Sequence, residues 1–588
     1  MKTMTHLVYE DLFSQIEKSG LTLPVSCLKD KKIIDEVLHE LITPIDPIEA
    51  ICYSSFLNMI VQTVDPDESI CLGQREIVKV GFVNKAGDNK VLFHRDCLLY
   101  MISRIITDGK NGSLQIPGDT DRRGTKKYYK ALLLINSKIN HITRNTRQTL
   151  LKDYFIRDYP LSYAPHATST IFKNRLQRYW HIYGQILPSM GNSEGECISK
   201  AIYALEIDSG LTLRQHYSVL AGVLSWFLLL PVEKRKNNNK KISKLGFDHR
   251  NPASFYIARN KFPDTDGLIR LIQFFAQDIH CLQKYFAKER RDTVSGYYSH
   301  FREPFDRPIF KIDDNRFCIL DLKFLMEGLC SGLLWRIKDN AAGQNNFQQL
   351  KGGYGRLIEK YFVFLLEQIF GQGKVCKTPN QGPDAVVETD ECLLVFEFTT
   401  EYYRFASLYN TAVVSFMKDI KRLLFNQGKN DPDGREKKDK GKFLKLNEYL
   451  NTSEKNEKEI IPILVTENYL GDYDLLNQFD NVLDQEIQKC GLTGIQKHKP
   501  LILCLDDLEI LWALTNKDDV VGDFARFFHA WELTNKGSCL YEFSYFISSQ
   551  NNAIIRNDDY LNFFDYSKFW DELLNEESKS EKRHGKSH

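Results

Sequence analysis

Asp384 and Glu397 are the two side chains in this sequence whose types and spacing most directly suggest chemistry. They lie in Gln381-Gly-Pro-Asp384-Ala-Val-Val-Glu-Thr-Asp-Glu-Cys-Leu-Leu-Val-Phe-Glu397-Phe-Thr399-Thr400. Two β-rich runs, Pro383 to Glu388 and Cys392 to Thr399, flank a polar turn at Thr389, Asp390 and Glu391. With Asp390 and Glu391 at the centre of the turn, the register puts Asp384 directly opposite Glu397; a shorter loop would break it. Directly opposed antiparallel residues share a face, with Cβ atoms roughly 4.5–5.5 Å apart. Two carboxylates that close repel and require a cation or a proton between them. Two carboxylates converging on one spot suit a hard divalent ion such as Mg2+.

The elements that must hold this pair can be read outward from it. Leu393, Val395, Glu397 and Thr399 share one strand face, and Leu394, Phe396 and Phe398 share the other. A run apolar on both faces predicts a buried central strand, so Glu397 is a charge in an apolar setting. An unpaired buried acid costs several kcal/mol, so Glu397 needs a metal, a proton or a basic partner. Phe347 to Phe370 predicts a long helix, interrupted early by Gly352-Gly353 and ended by Gly371 to Gly373. Val375 to Thr378 is a candidate first strand, and Tyr402 to Phe425 a helix. Asn426 to Lys442 reads as a charged loop. Glu459 to Thr466 and Pro500 to Leu505 are apolar strands, with Pro462 arguing for an edge or a bulge. Leu475 to Lys489 and Leu508 to Thr515 are helices, the latter capped by Asp506 or Asp507, where acids suit the helix dipole, as does Glu509. Strands alternating with helices imply a sheet covered on both faces.

The order helix, strand, acid-bearing hairpin, helix resembles the PD-(D/E)XK nuclease superfamily, the restriction-endonuclease-like fold. The matching residues are Glu359 in Gly355-Arg-Leu-Ile-Glu359, Pro383-Asp384, and Glu397-Phe-Thr399, within 347–515. The resemblance implies an α/β/α domain with a central mixed sheet. It implies that Asp384 and Glu397 hold Mg2+ or Mn2+, with Glu359 adding a ligand directly or through water. The ion would activate a water for phosphodiester hydrolysis. The family places a lysine two residues after the glutamate, but Thr399 stands there and brings no positive charge. Lys418 on the following helix is a candidate substitute, with Lys421 and Arg404 behind it. The activity implied is a metal-dependent nuclease acting on DNA before RNA, in a setting of defence against phage or foreign DNA. The alternative is a catalytically inactive nuclease fold serving as a nucleic-acid-binding or scaffold subunit.

The rest of the chain bounds these expectations. Its 588 residues, 43% hydrophobic and 26% charged, suit a soluble α/β multidomain protein. The expected divisions are an α+β region at 1–150, a mainly helical region at 151–340, the nuclease-like domain at 347–515, a helical extension at 516–576 and a charged tail at 577–588. Lys plus Arg number 78 and Asp plus Glu 77, so any basic surface must be local. Arg122, Arg123, Lys126, Lys127 and Lys130, with Tyr128 and Tyr129 between them, have a composition that grips phosphate and stacks on bases. The run containing Lys234, Arg235 and Lys236 is a second basic candidate, read first as an exposed loop. Strands are expected at 76–83, 90–94, 308–312 and 317–321, and an amphipathic helix at 324–337. The 13 cysteines show no paired spacing and point to free thiols in a reducing, cytoplasmic setting. The longest apolar run, 219–230, falls short of the ~18–20 residues a spanning helix needs, so no membrane partner is expected. The expected partners are nucleic acid and either a second copy of the chain or a partner defence subunit.

Overall fold

The residues expected to form a buried strand at 392–399 do so, and every one of them is buried. In the computed structural model the described residues are 31–63, 95–109, 112–116, 123–141, 168–191, 193–224, 255–258, 265–284, 307–330, 332–333, 337, 347–377, 382–400, 413–425, 441–452, 458–467, 481–515 and 530. The expected strands at 76–83 and 90–94 lie outside them, as do the extension and tail beyond 530. The chain is a mixture of helix and sheet, in general terms α/β. It forms two units, one drawn from Met1–Asp153, Ser162–Ser169 and Glu206–Leu333, the other from Tyr154–Leu161, Thr170–Leu205 and Leu334–His588. The stretch expected as one helical region at 151–340 is thus shared between both.

The first unit is mainly helical, with a small four-stranded sheet. Strands Ile309–Lys311 and Arg316–Ile319 form the expected hairpin, flanked by Ala276–Gln277 and Ile257–Ala258. The helix that follows is Leu322–Leu329, shorter than expected. Asp321 caps it by accepting the Phe324 N–H at 2.8 Å. The same buried carboxylate takes Arg95 Nε at 2.7 Å, Asn58 at 3.0 Å and Gln62 at 2.8 Å. A buried charge with this many donors is compensated, and it ties helices Pro47–Thr63 and Arg95–Asp108 to the sheet.

In the second unit we label α1 (Thr168–His181), α2 (Ser193–Ser209), α3 (Phe347–Phe370), β1 (Val375–Cys376), β2 (Ala385–Glu388), β3 (Cys392–Thr399), α4 (Val413–Phe425), α5 (Lys442–Thr452), β4 (Glu459–Thr466), α6 (Val482–Lys489), α7 (Thr493–Lys497), β5 (Leu501–Cys504) and α8 (Leu505–Thr515). The sheet order is β1-β2-β3-β4-β5, with the first two pairings antiparallel and the last two parallel. The period of two sorts each strand between two layers. Val386, Leu393, Val395, Ile460, Leu464 and Ile502 face a core shared with α4, α5, α6 and α7. Phe396 and Phe398 face α3, where Phe398 stacks on Phe362 with ring centroids 4.9 Å apart. Pro462 corrects its expectation: β4 is central, not an edge. Pairing with β5 begins only at Ile463, however, so β4 is locally unpaired on that side at the proline.

The glycines of α3 also behave differently from expectation, because the helix runs through Gly352-Gly353 without interruption. A Cβ at Gly353 would meet Glu194 Cβ and Ile198 Cδ1 of α2, both at 3.1 Å. Gly353 therefore lets the two helices approach, at a cost in helix propensity. Gly352 has nothing nearer than Glu194 Oε1 at 3.9 Å. Gly353→Leu is expected to lower stability by about 1–3 kcal/mol through overpacking. Gly352→Ala is expected to raise it by about 0.5–1 kcal/mol. Urea midpoints of the two variants check the contrast.

Candidate active site

The hairpin delivers its acids in the expected register. Glu388 pairs with Leu393 and Ala385 with Phe396, so the turn centres on Asp390 and Glu391. Thr389 closes the turn, its N–H donating to the Cys392 carbonyl at 2.9 Å. Asp384 immediately precedes β2, and its Oδ2 accepts the Phe398 N–H at 2.7 Å. That bond fixes the aspartate against β3 beside Glu397. Glu397 continues the apolar column of Leu393 and Val395 and has no exposed surface.

The compensating charge comes from α5. Lys442 Nζ donates to Glu397 Oε1 at 2.6 Å and lies 3.7 Å from Asp384 Oδ2. Lys445 Nζ reaches the same Glu397 oxygen at 3.1 Å. The other oxygen, Glu397 Oε2, is buried and has no hydrogen-bond partner. Burial pushes the Glu397 carboxyl above its ordinary value; Lys442 and Lys445 oppose the rise and Asp384 adds to it. Burial alone would lower the Lys442 ammonium, but Glu397, Asp384 and Glu359 hold it above its ordinary value.

Local sequence does not favour these lysines where they are. Lys442 is the first residue of α5, whose first turn holds no acid. The positive end of a helix dipole disfavours a cation there. The contact with Glu397 accounts for the placement, a local conflict of the kind found at functional sites. Gly441 makes the approach possible: a Cβ there would come within 2.6 Å of the Leu424 carbonyl oxygen at the end of α4.

Glu359 is exposed on α3. Partial burial and then the Asp384 carboxylate raise its pKa, while Lys442, Lys445 and Arg356 pull it down. It therefore belongs to the same electrostatic cluster. Thr399 is buried at the end of β3, where its carbonyl accepts the Glu467 N–H at 3.2 Å. Lys418 does not reach the acids, which corrects the expectation that it substitutes for the motif lysine. It is exposed on α4, whose Ile420, Leu423 and Leu424 turn inward. Two residues along a helix is a rotation of about 200°, so Lys418 faces away from the Ile420 side. Lys421 pairs instead with Glu486 at 2.6 Å, and Arg404 lies outside the described residues.

The basic helix Arg123–His141 divides its residues by face. Tyr128 and Tyr129 are fully buried and bond Ser54 and Tyr53 at 2.7 and 2.6 Å, so they cannot stack on bases as expected. Arg123 and Lys126 are exposed, and Lys127 and Lys130 half-buried. Burial and then the neighbouring Lys127 and Lys126 lower the Lys130 ammonium. Arg122, Lys234, Arg235 and Lys236 lie outside the described residues.

A second charged cluster in this unit was not foreseen. Arg178 of α1 is buried and binds Glu509 of α8 through Nε at 2.7 Å and Nη2 at 2.8 Å. It also binds Asp506, which takes Arg175 at 2.9 Å. Tyr361 of α3 donates to Glu509 at 2.7 Å. The helix expected from Leu508 begins at Leu505, so Asp506 and Asp507 lie inside its first turn instead of capping it, and Asp507 reaches back to accept the Cys504 N–H at 2.7 Å. This cluster has its ionic partners in hand and joins helices.

Among the described residues no group of three or more His, Cys, Asp or Glu side chains could hold a metal ion, and no helix is long and apolar enough to cross a membrane. No family model, curated protein or solved structure matches the chain.

Proposed function

We propose that the second unit contains a restriction-endonuclease-like α/β/α domain that hydrolyses phosphodiester bonds of nucleic acid, DNA before RNA, with a divalent metal ion. The observation that carries this reading is Lys442, whose ammonium lies 2.6 Å from Glu397 and 3.7 Å from Asp384. It brings to the acid pair the positive charge that Thr399 cannot supply. The strand order β1 to β5, with the acids on its antiparallel hairpin and helices on both faces, supports the same reading.

The donor set fits a hard divalent cation in one respect: Glu397 Oε2 is buried without a partner beside a second carboxylate. Asp384 and Glu397 would hold Mg2+ or Mn2+, with Glu359 at the margin. Such an ion, when bound, polarises phosphate and acidifies water. Lys442 stabilises negative charge developing on the phosphate, and Asp384 is held in place by the Phe398 N–H.

A second reading is a nuclease fold that binds nucleic acid or a partner without cutting. It is favoured by the ion pairs that already compensate Glu397 and by the want of a three-ligand group among the described residues. Incubating the protein with DNA and RNA in Mg2+ or Mn2+, beside Asp384→Ala and Glu397→Ala, separates the two. Cleavage that falls about 10²-fold or more in both variants is expected. Equal activity in all three proteins, or none in any, overturns the catalytic reading.

A further inference from the structure

We infer that Lys445 is the displaceable counter-ion of the acid pair, the ammonium that gives way to a divalent cation and so sets the concentration at which the site loads. This inference rests on the metal-dependent reading above.

The two ammonium groups are not equivalent. Both sit on Glu397 Oε1, while Oε2 is left buried and unpartnered. Lys442 is held by a 2.6 Å hydrogen bond to Glu397 and by proximity to Asp384. Lys445 has the one ion pair, at 3.1 Å, and its side chain is 31% exposed against 23% for Lys442. It can swing into water at a smaller loss than Lys442.

Charge balance supplies the reason for it to leave. Asp384 and Glu397, with Glu359 at the margin, carry three negative charges against the two positive charges of Lys442 and Lys445. A divalent cation entering beside Glu397 Oε2 turns the cluster from net negative to net positive, and departure of one ammonium restores neutrality. Like charges within ~4–6 Å shift one another's equilibria by a factor of ten or more. Lys445 is the less tethered of the two and departs first.

Mn2+ binding to the full-length protein without nucleic acid, followed by calorimetry, tests the idea. Lys445→Met is expected to bind Mn2+ about tenfold tighter than the wild type, the scale on which one nearby charge acts. Lys445→Gln removes the same charge and is expected to agree if the methionine variant folds poorly. Lys418→Met removes one charge from an exposed site on α4 and is expected to leave the affinity unchanged. Binding that is lost in Glu397→Gln but unaltered or weakened in Lys445→Met and Lys445→Gln overturns this inference and leaves the metal-dependent reading standing. Binding indifferent to Glu397→Gln, or absent from every protein, overturns both.

Discussion

Arg178→Leu is expected to destabilise the second unit by about 3–5 kcal/mol, the usual cost of removing one partner from a buried ion pair. Arg178 is 1% exposed, and its guanidinium makes a bidentate contact with Glu509, at 2.7 and 2.8 Å, and a further bond to Asp506. Leucine fills some of the volume but leaves Glu509 buried with Tyr361 as its described hydrogen-bond donor. Asp506 retains Arg175 at 2.9 Å, so Glu509 bears most of the loss. The urea midpoint measures it. A drop under about 1 kcal/mol would mean that water or a neighbouring group compensates Glu509. Arg178→Leu combined with Glu509→Leu, which removes both charges, is expected to recover part of the loss.

The same cluster sets a pH signature. Burial would raise the Asp506 carboxyl, but Arg175 and Arg178 outweigh it and hold it at about 2, below the ordinary 3.8. A depressed folded pKa adds stability that is fully present above about 3.8 and is lost as pH falls through about 2. At 1.36 kcal/mol per unit the contribution is about 2 kcal/mol. Glu509 shifts the other way, because burial there outweighs Arg178. A raised acid favours the fold when protonated, so its effect has the opposite sign to that of Asp506 and acts at higher pH, as pH rises from about 4.5. Arg178→Leu strengthens the Glu509 effect and weakens the Asp506 one. Wild-type stability should therefore rise between about pH 2 and 4, while in the variant that rise flattens and a loss of stability sets in above about 4.5, where Glu509 ionises in the unfolded chain but not in the fold.

How much of this was legible in the sequence depends on whether the deciding contact was local. The hairpin register followed from its turn, because a period of two and two central residues leave one pairing for Asp384 and Glu397. The bounds of α3 and β4 followed from their apolar runs and the residues around them. The lysines were hidden because their place depends on where α5 lies over β3. Lys442 was read as the end of a charged loop, and the helix that begins there and carries Lys445 was not foreseen. Tyr128 and Tyr129 misled in the opposite sense, since their basic neighbours in sequence occupy the other face of the helix. Arg178 with Asp506 and Glu509 joins residues more than 300 positions apart, and no local pattern announces such a pair. Gly353 was read as a helix breaker because its reason, the nearness of α2, is tertiary.

Lys442→Met is expected to reduce cleavage by about 10²–10³-fold, as removal of a preorganised charge at a reacting phosphate does. It is also expected to lower stability by about 2 kcal/mol, because Glu397 loses its 2.6 Å partner in a fully buried setting. Lys445 remains at 3.1 Å, which keeps the loss below that of an isolated buried charge. Adding Glu397→Gln to the variant tests the stability effect alone, because Glu397 is itself a proposed metal ligand. The neutral amide needs no counter-ion, so the double variant should recover stability while remaining inactive. Lys442→Arg keeps a positive charge but alters its shape, and is expected to retain the fold while recovering only part of the rate. If cleavage in Lys442→Met and Lys442→Arg fell only in proportion to their loss of fold, Lys442 would be a structural counter-ion and the catalytic assignment would fail. If Lys442→Met is still folded at the assay temperature and cleavage is nonetheless lost, the lysine acts on the reaction.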